Sequence, residues 1–118
     1  MKRTKADRAL AKVRSICMAL EGTEEIVSHG APCFRRKRLY AMFTDNHHGD
    51  GRVALWLRAT HDVQHGLVEE DPERFFVPPY VGPSGWVGAR LDRDPDWGMI
   101  EALLVEAHRS ARPKAGRE

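Results

Sequence analysis

Four consecutive cations, Arg35-Arg36-Lys37-Arg38, are the densest chemical feature of the chain. Such groups neutralise phosphate, and arginine does so with a two-pronged hydrogen-bonding fork. Arginine supplies 14 of the 19 basic residues. Aromatic rings occur on segments of the same kind. In Arg52–Arg58 (RVALWLR), strand alternation puts Val53, Leu55 and Leu57 on one face and Ala54, Trp56 and Arg58 on the other. In Trp86–Leu91 the same rule puts Trp86 and Arg90 together. If those faces coincide, an open sheet face carries arginine beside tryptophan. Arginine would then neutralise phosphates while the rings stack on unpaired bases. The expected nucleic-acid surface is therefore Arg35, Arg36, Lys37, Arg38, Arg58 and Arg90. The competing reading buries both tryptophans in the core.

A second constellation is aromatic. His29, Trp56, Tyr80 and Trp86 could line a small-ligand or adaptor pocket, with the Pro78–Gly85 loop closing it. The other histidines are His47, His48, His61, His65 and His108. His61 and His65 stand four apart on an expected helix, a spacing that can hold a metal, but HExxH is absent and no metal site is expected. No GxSxG, GxxxxGK[ST] or GxGxxG occurs, so no catalytic residue and no cofactor is assigned. Ser28 and His29 are neighbours, and in a strand they would point to opposite faces and could not act as nucleophile and base. Glu24 and Glu25 could serve as acid or base, but a carboxylate at a helix end or turn is the commoner reading. Cys17 and Cys33 are expected as free thiols, with Cys17 in the core and no CxxC pattern.

The elements that must position these residues follow from periodicity. Residues 4–20 form a helix with Ala6, Leu10, Val13, Cys17 and Leu20 along one stripe, stopped at Gly22. Short strands follow at Glu25–Ser28, Phe34–Arg36, Leu39–Thr44 and Arg52–Arg58. A turn is expected at His29–Pro32, a tight basic turn after Arg36, and a polar hairpin loop at Asp45–Gly51 (DNHHGDG). Thr60 caps a short helix to about Val68, with Val63 and Leu67 inward. Strands at Phe75–Val77 and Trp86–Leu91 precede the final helix. There Asp94 serves as N-cap, Pro95 as first residue, and Trp97, Ile100, Leu104 and Ala107 as the apolar stripe. This order is α+β: an antiparallel sheet with the N- and C-terminal helices packed on one face.

Length and charge set the frame. The 118 residues suit one domain, with a folded core of about 4–111 and a basic tail at 112–118. Net charge is only +2, from 19 Lys+Arg against 17 Asp+Glu, but it is segregated. Segment 1–16 holds six cations and one acid, and the tail adds Arg109, Arg112, Lys114 and Arg117. Acids gather at Glu69–Glu73 and Asp92–Asp96. Segregated basic charge attracts polyanions even at small net charge. No apolar run approaches membrane-spanning length, and no h-region follows the basic N-terminus. The expectation is a soluble, cytoplasmic protein with no membrane partner.

Several local patterns resemble the MmcQ/YjbR family of small bacterial proteins. They are Leu20-Glu21-Gly22-Thr23-Glu24-Glu25, His29-Gly30, Pro32-Cys33-Phe34, Arg38-Leu39-Tyr40-Ala41, Pro79-Tyr80-Val81-Gly82, Gly85-Trp86-Val87 and Asp96-Trp97. Glu21 stands where the family has proline, and Lys37 where a turn glycine is common. The resemblance runs from about Ala9 to Ala111. It implies a frataxin-like α+β fold with a curved antiparallel sheet, similar to the double-wing arrangement of a phage activator's DNA-binding domain. The resemblance implies DNA binding and offers no catalytic motif to carry over; binding through phosphate contacts would be weak and mostly sequence-independent. Iron handling is not carried over, because the first helix is basic where hard cations need acidic oxygen ligands. The alternative is the ligand or adaptor pocket above.

Overall fold

Thr4 starts the first helix. In the computed structural model, which describes residues 4–111, its side chain accepts the Asp7 N–H at 3.0 Å while Asp7 accepts the Thr4 N–H at 3.1 Å. This reciprocal box caps α1, Lys5–Met18. Lys2, Arg3 and the expected tail with Arg112, Lys114 and Arg117 lie outside the described residues. Ala9, Val13 and Cys17 recur at four-residue steps, so one stripe of α1 is buried. The helix ends at Ala19, short of the expected stop. Gly22 does adopt a left-handed φ of +73°, but in the turn beyond it.

Six strands follow in one antiparallel sheet: β1 (Glu24–Ser28), β2 (Ala31–Arg36), β3 (Arg38–Asp45), β4 (Val53–Leu57), β5 (Phe75–Phe76) and β6 (Val87–Arg90). Their spatial order is β1-β2-β3-β4-β6-β5. Two expected turns are shorter than read. Only His29 and Gly30 connect β1 to β2, so Ala31 and Pro32 belong to the strand. Pro32 is tolerated there because the β2–β3 register begins only at Cys33. A single residue, Lys37 at φ +68°, joins β2 to β3.

Two further helices complete the fold. α2, His61–Glu70, is capped by Thr60, whose hydroxyl accepts the Val63 N–H. Its inward residue is Gln64, buried, rather than Val63, which is 42% exposed. α3, Trp97–Ser110, is capped by Asp96 and not by Asp94, which sits at φ +52° two residues upstream. Ile100, Leu104, Ala107 and Ala111 form its buried stripe.

All three helices pack on the same face. Residues of α1 and α3 join Phe34, Tyr40, Ala41, Phe43, Leu55, Leu57, Phe75, Val87 and Ala89 in one core, with Leu67 and Val68 of α2 against it. A bulge enlarges that face. Phe34 pairs with Ala41 and Arg35 with Leu39, which leaves Tyr40 as an extra residue. Tyr40 and Ala41 both therefore reach the helix side. There the Tyr40 hydroxyl lies 2.8 Å from the Thr23 hydroxyl, and His108 packs edge-on against the ring. His108 Nε2 also donates to the Glu21 carbonyl at 2.6 Å, tying α3 to the α1–β1 turn. Burial pushes the Cys17 thiol up to about 12 against a hydrogen bond with Tyr40, so it stays protonated and inert near neutrality.

One ion pair staples α1 to β1. Arg14 donates twice to Glu25, both at 2.7 Å. That hydrogen bond holds the Glu25 carboxyl below its ordinary value; burial opposes it and Arg14's charge assists. A carboxyl with a depressed folded pKa adds stability above its unfolded pKa and loses it as pH falls through the folded one. Both side chains are partly exposed, so the pair is worth under about 1 kcal/mol. Arg14→Ala is expected to lower the melting temperature slightly at pH 7 and not at all at about pH 2, where Glu25 is protonated in both proteins. Thermal melts at the two pH values check this.

Candidate nucleic-acid interface

The strand register defines the face opposite the helices. Ile26, Cys33, Met42, Trp56, Gly88 and Phe76 stand opposite one another in a row across all six strands. Opposed residues project to the same side. Trp56, Phe76 and Trp86 join Ala54 in a second apolar cluster on this outer face, with Leu39, Met42 and Val81 at its edge. The tryptophans thus belong to neither the helix-side core nor an exposed stacking surface: Trp56 is 2% exposed and Trp86 7%. Two loops shield them. From the β3–β4 loop, His47 packs edge-on to Trp56 at 5.4 Å. From the β5–β6 loop, Val81 packs on the cluster, and Tyr80 reaches His48 at 5.9 Å. The Trp56 indole N–H is buried without a partner.

Arg52, Ala54, Trp56 and Arg58 share the outer face of β4 and its flanks by alternation, so two arginines bracket the cluster. The Arg52 guanidinium lies 4.1 Å above the Phe76 ring and that of Arg58 5.4 Å from Trp86. Arg58 Nε donates to the Leu39 carbonyl at 2.9 Å. Neither arginine pairs with a carboxylate among the described residues. Arg58 instead faces another cation: burial first, then the charge of Arg38, holds its guanidinium below the ordinary arginine value.

Most other arginines among the described residues pair with a carboxylate. Arg35 binds Glu24 at 3.0 Å, Arg36 approaches Glu21 at 3.9 Å, and Arg90 grips Asp92 through two hydrogen bonds of 2.9 and 3.1 Å. The run Arg35–Arg38 does not act as a unit either. Arg35 stands opposite Leu39 on the outer side, whereas Arg36 packs at Gly22 and Arg38 donates to the Ser110 and Ala111 carbonyls at the end of α3. Lys37 is exposed at the turn between them. Of the six residues singled out in the sequence, Arg35, Arg58 and Arg90 lie on the outer face with Trp56 and Trp86, and Arg35 and Arg90 are held by their acids. Arg52 was missed, although its parity in RVALWLR matches that of Trp56 and Arg58.

The four expected pocket residues differ in setting. Trp56 and Trp86 are buried together, Tyr80 is 77% exposed, and His29 occupies the exposed β1–β2 turn. The clefts of about 270, 220 and 180 Å³ are lined by other residues; the first, between α1 and the start of α3, mixes Lys5, Arg8 and Lys12 with Asp92 and Asp94. The left-handed φ of +54° at His29 also breaks strand alternation, so Ser28 Oγ and His29 Nδ1 meet at 3.0 Å, contrary to expectation. His61 contacts the Pro83 carbonyl at 2.8 Å and stands 6.4 Å from the His65 ring, and no group of three metal-ligating side chains occurs among the described residues. No helix among them is long and apolar enough to cross a membrane.

The helix-backed six-stranded sheet is also what comparison with known proteins returns. A YjbR family model matches residues 18–110, most of the chain. The chain belongs to the YjbR family. The match begins later than the expected Ala9, after most of α1. The fold is similar to the crystal structure of Deinococcus radiodurans protein DR2400, which carries a DUF419 domain, with a TM-score of 0.70 at 19% identity. The alignment covers 83% of this chain and 74% of that one. No curated protein matches. The YjbR assignment fixes the family, and the solved neighbour the fold.

Proposed function

We propose that this YjbR protein binds nucleic acid across the outer face of its sheet, as a binding module rather than a catalyst. The observation that carries the reading is that Arg52 and Arg58 stand on that face without carboxylate partners among the described residues, while Arg35, Arg36 and Arg90 are paired. Aromatic rings beneath the two guanidiniums restrict their motion, which lowers the entropy lost when a phosphate is gripped. The two flank β4 six residues apart, about 20 Å at a rise of ~3.3 Å per residue. That distance spans several phosphates of a bound strand. Contacts of this kind neutralise charge and carry no base information, so binding is weak, salt-sensitive and sequence-independent.

The test is fluorescence anisotropy with labelled DNA at about 50 and 200 mM salt. The parent protein is expected to bind and to weaken with salt. Arg52→Ala/Arg58→Ala is expected to lose at least about tenfold in affinity and to reduce the salt slope by roughly 2. Arg35→Ala/Glu24→Ala should change little, because it removes a cation together with the carboxylate that already neutralises it. Equal losses in the two double variants would refute the assignment of the face.

A further inference from the structure

Two loops from different hairpins meet above the aromatic cluster, and each brings an exposed ring there. His48 comes from the β3–β4 loop and Tyr80 from the β5–β6 loop, their ring centroids 5.9 Å apart at 67°. Both residues hold left-handed backbone, φ +53° and +66°, a region that side chains other than glycine rarely occupy. Tyr80 is 77% exposed, the most exposed large hydrophobic residue described. The rings continue inward: His48 lies 4.2 Å from His47, and His47 lies 5.4 Å from Trp56. A four-ring array thus runs from the buried cluster to solvent, with Arg52 at the foot of the same loop.

We infer that Tyr80 and His48 form a stacking seat for an unpaired base, so that single-stranded nucleic acid is the preferred occupant of this face. The inference rests on the nucleic-acid reading above and narrows it. A phosphate-binding arginine beside an outward aromatic ring suits a strand whose bases are free to leave the stack. In a duplex each base face is already covered by its neighbours, and reaching one means unstacking it. The outer face would then engage a duplex through phosphates alone. Charge complementarity favours a polyanion over an apolar partner, since Arg52 stands at the foot of the seat's loop and Arg58 at the other end of the cluster, neither with a carboxylate among the described residues.

An abasic strand separates the two contributions, because it keeps every phosphate and removes every base. Anisotropy would compare a single strand of about 12 nucleotides, the abasic strand of equal length and the matching duplex, at one salt concentration. The normal strand is expected to bind about tenfold tighter than either of the others. Tyr80→Ala should erase that advantage and leave abasic affinity unchanged, while Tyr80→Phe should keep it. His48→Ala should reduce it without touching the fold-bearing residues. Equal affinity for normal and abasic strands would overturn the stacking seat and leave the phosphate reading intact. An equal loss on both strands with Tyr80→Ala would also overturn it. Absence of binding to all three would overturn both.

Discussion

Gly88→Val is expected to destabilise the protein by about 3 kcal/mol, at the upper end for overpacking a core position. The reason is the Phe76 ring. A Cβ on Gly88 would lie 2.4 to 2.6 Å from three atoms of that ring, which therefore occupies the space a side chain would need. Gly88 stands between Trp56 and Phe76 in the row across the sheet. The ring is 9% exposed and carries Arg52 on its outer side, so it has no free direction in which to withdraw. Valine's preference for strands spans at most about 1 kcal/mol and cannot offset the clash. For a chain of this size the melting temperature should fall by roughly 10 °C. A double-mutant cycle isolates the cause: in a Phe76→Ala background the same Gly88→Val change should cost much less. Equal costs in both backgrounds would show that the glycine is needed for something other than the ring. If the outer face is the nucleic-acid surface, the change should also weaken binding in the folded fraction, because displacing Phe76 removes the ring under Arg52.

The architecture was legible because it rests on local periodicity. Val13 and Cys17 of the expected α1 stripe, and Ile100, Leu104 and Ala107 of α3, are buried at helical steps, and RVALWLR alternates cleanly; in α1 Ala9 is buried where Ala6 and Leu10 are only partly so. The charge pairing was not legible, because it depends on register. Reading His29–Pro32 as the β1–β2 turn would set Glu24 opposite Lys37 and Glu25 opposite Arg36. The two-residue turn at His29 and Gly30 sets Glu24 opposite Arg35 and Glu25 opposite Phe34 instead. Two residues of turn length thus decide which cations are neutralised, and with them which remain for a ligand. The α3 cap shows a similar limit. Asp94 and Asp96 both fit a capping position near Pro95, and only the left-handed backbone at Asp94 selects Asp96. In α2 the buried position fell to a glutamine, which hydropathy places on the surface. Its role comes from a loop some twenty residues away.

That glutamine links the fold to the binding face. Gln64 is 3% exposed, and its Nε2 donates to the Gly82 carbonyl at 2.8 Å and to the Trp86 carbonyl at 2.6 Å. These acceptors bracket the 3-10 turn Gly82–Ser84, so one side chain pins the loop that carries Tyr80 and delivers Trp86 to the outer cluster. Gln64→Leu keeps nearly the same volume and strips two buried carbonyls of a donor. The Gly82 carbonyl keeps the Gly85 N–H at 2.9 Å, so the one left unpaired is that of Trp86, at an expected cost of about 1–3 kcal/mol. The amide protons of residues 80–86 should exchange with solvent faster, while those of β3 and β4 change only with global stability. If the outer face is the nucleic-acid surface, affinity for a single strand should fall although residue 64 lies on the far side of the loop from it. Gln64→Glu separates packing from hydrogen bonding, since an ionised carboxylate offers those carbonyls no donor at neutral pH. It should be at least as damaging as leucine at pH 7 and should recover in part at lower pH, where the protonated acid can donate to one of the two. Loop exchange unchanged in Gln64→Leu would mean that the prolines and the Val81 contact hold the loop without it.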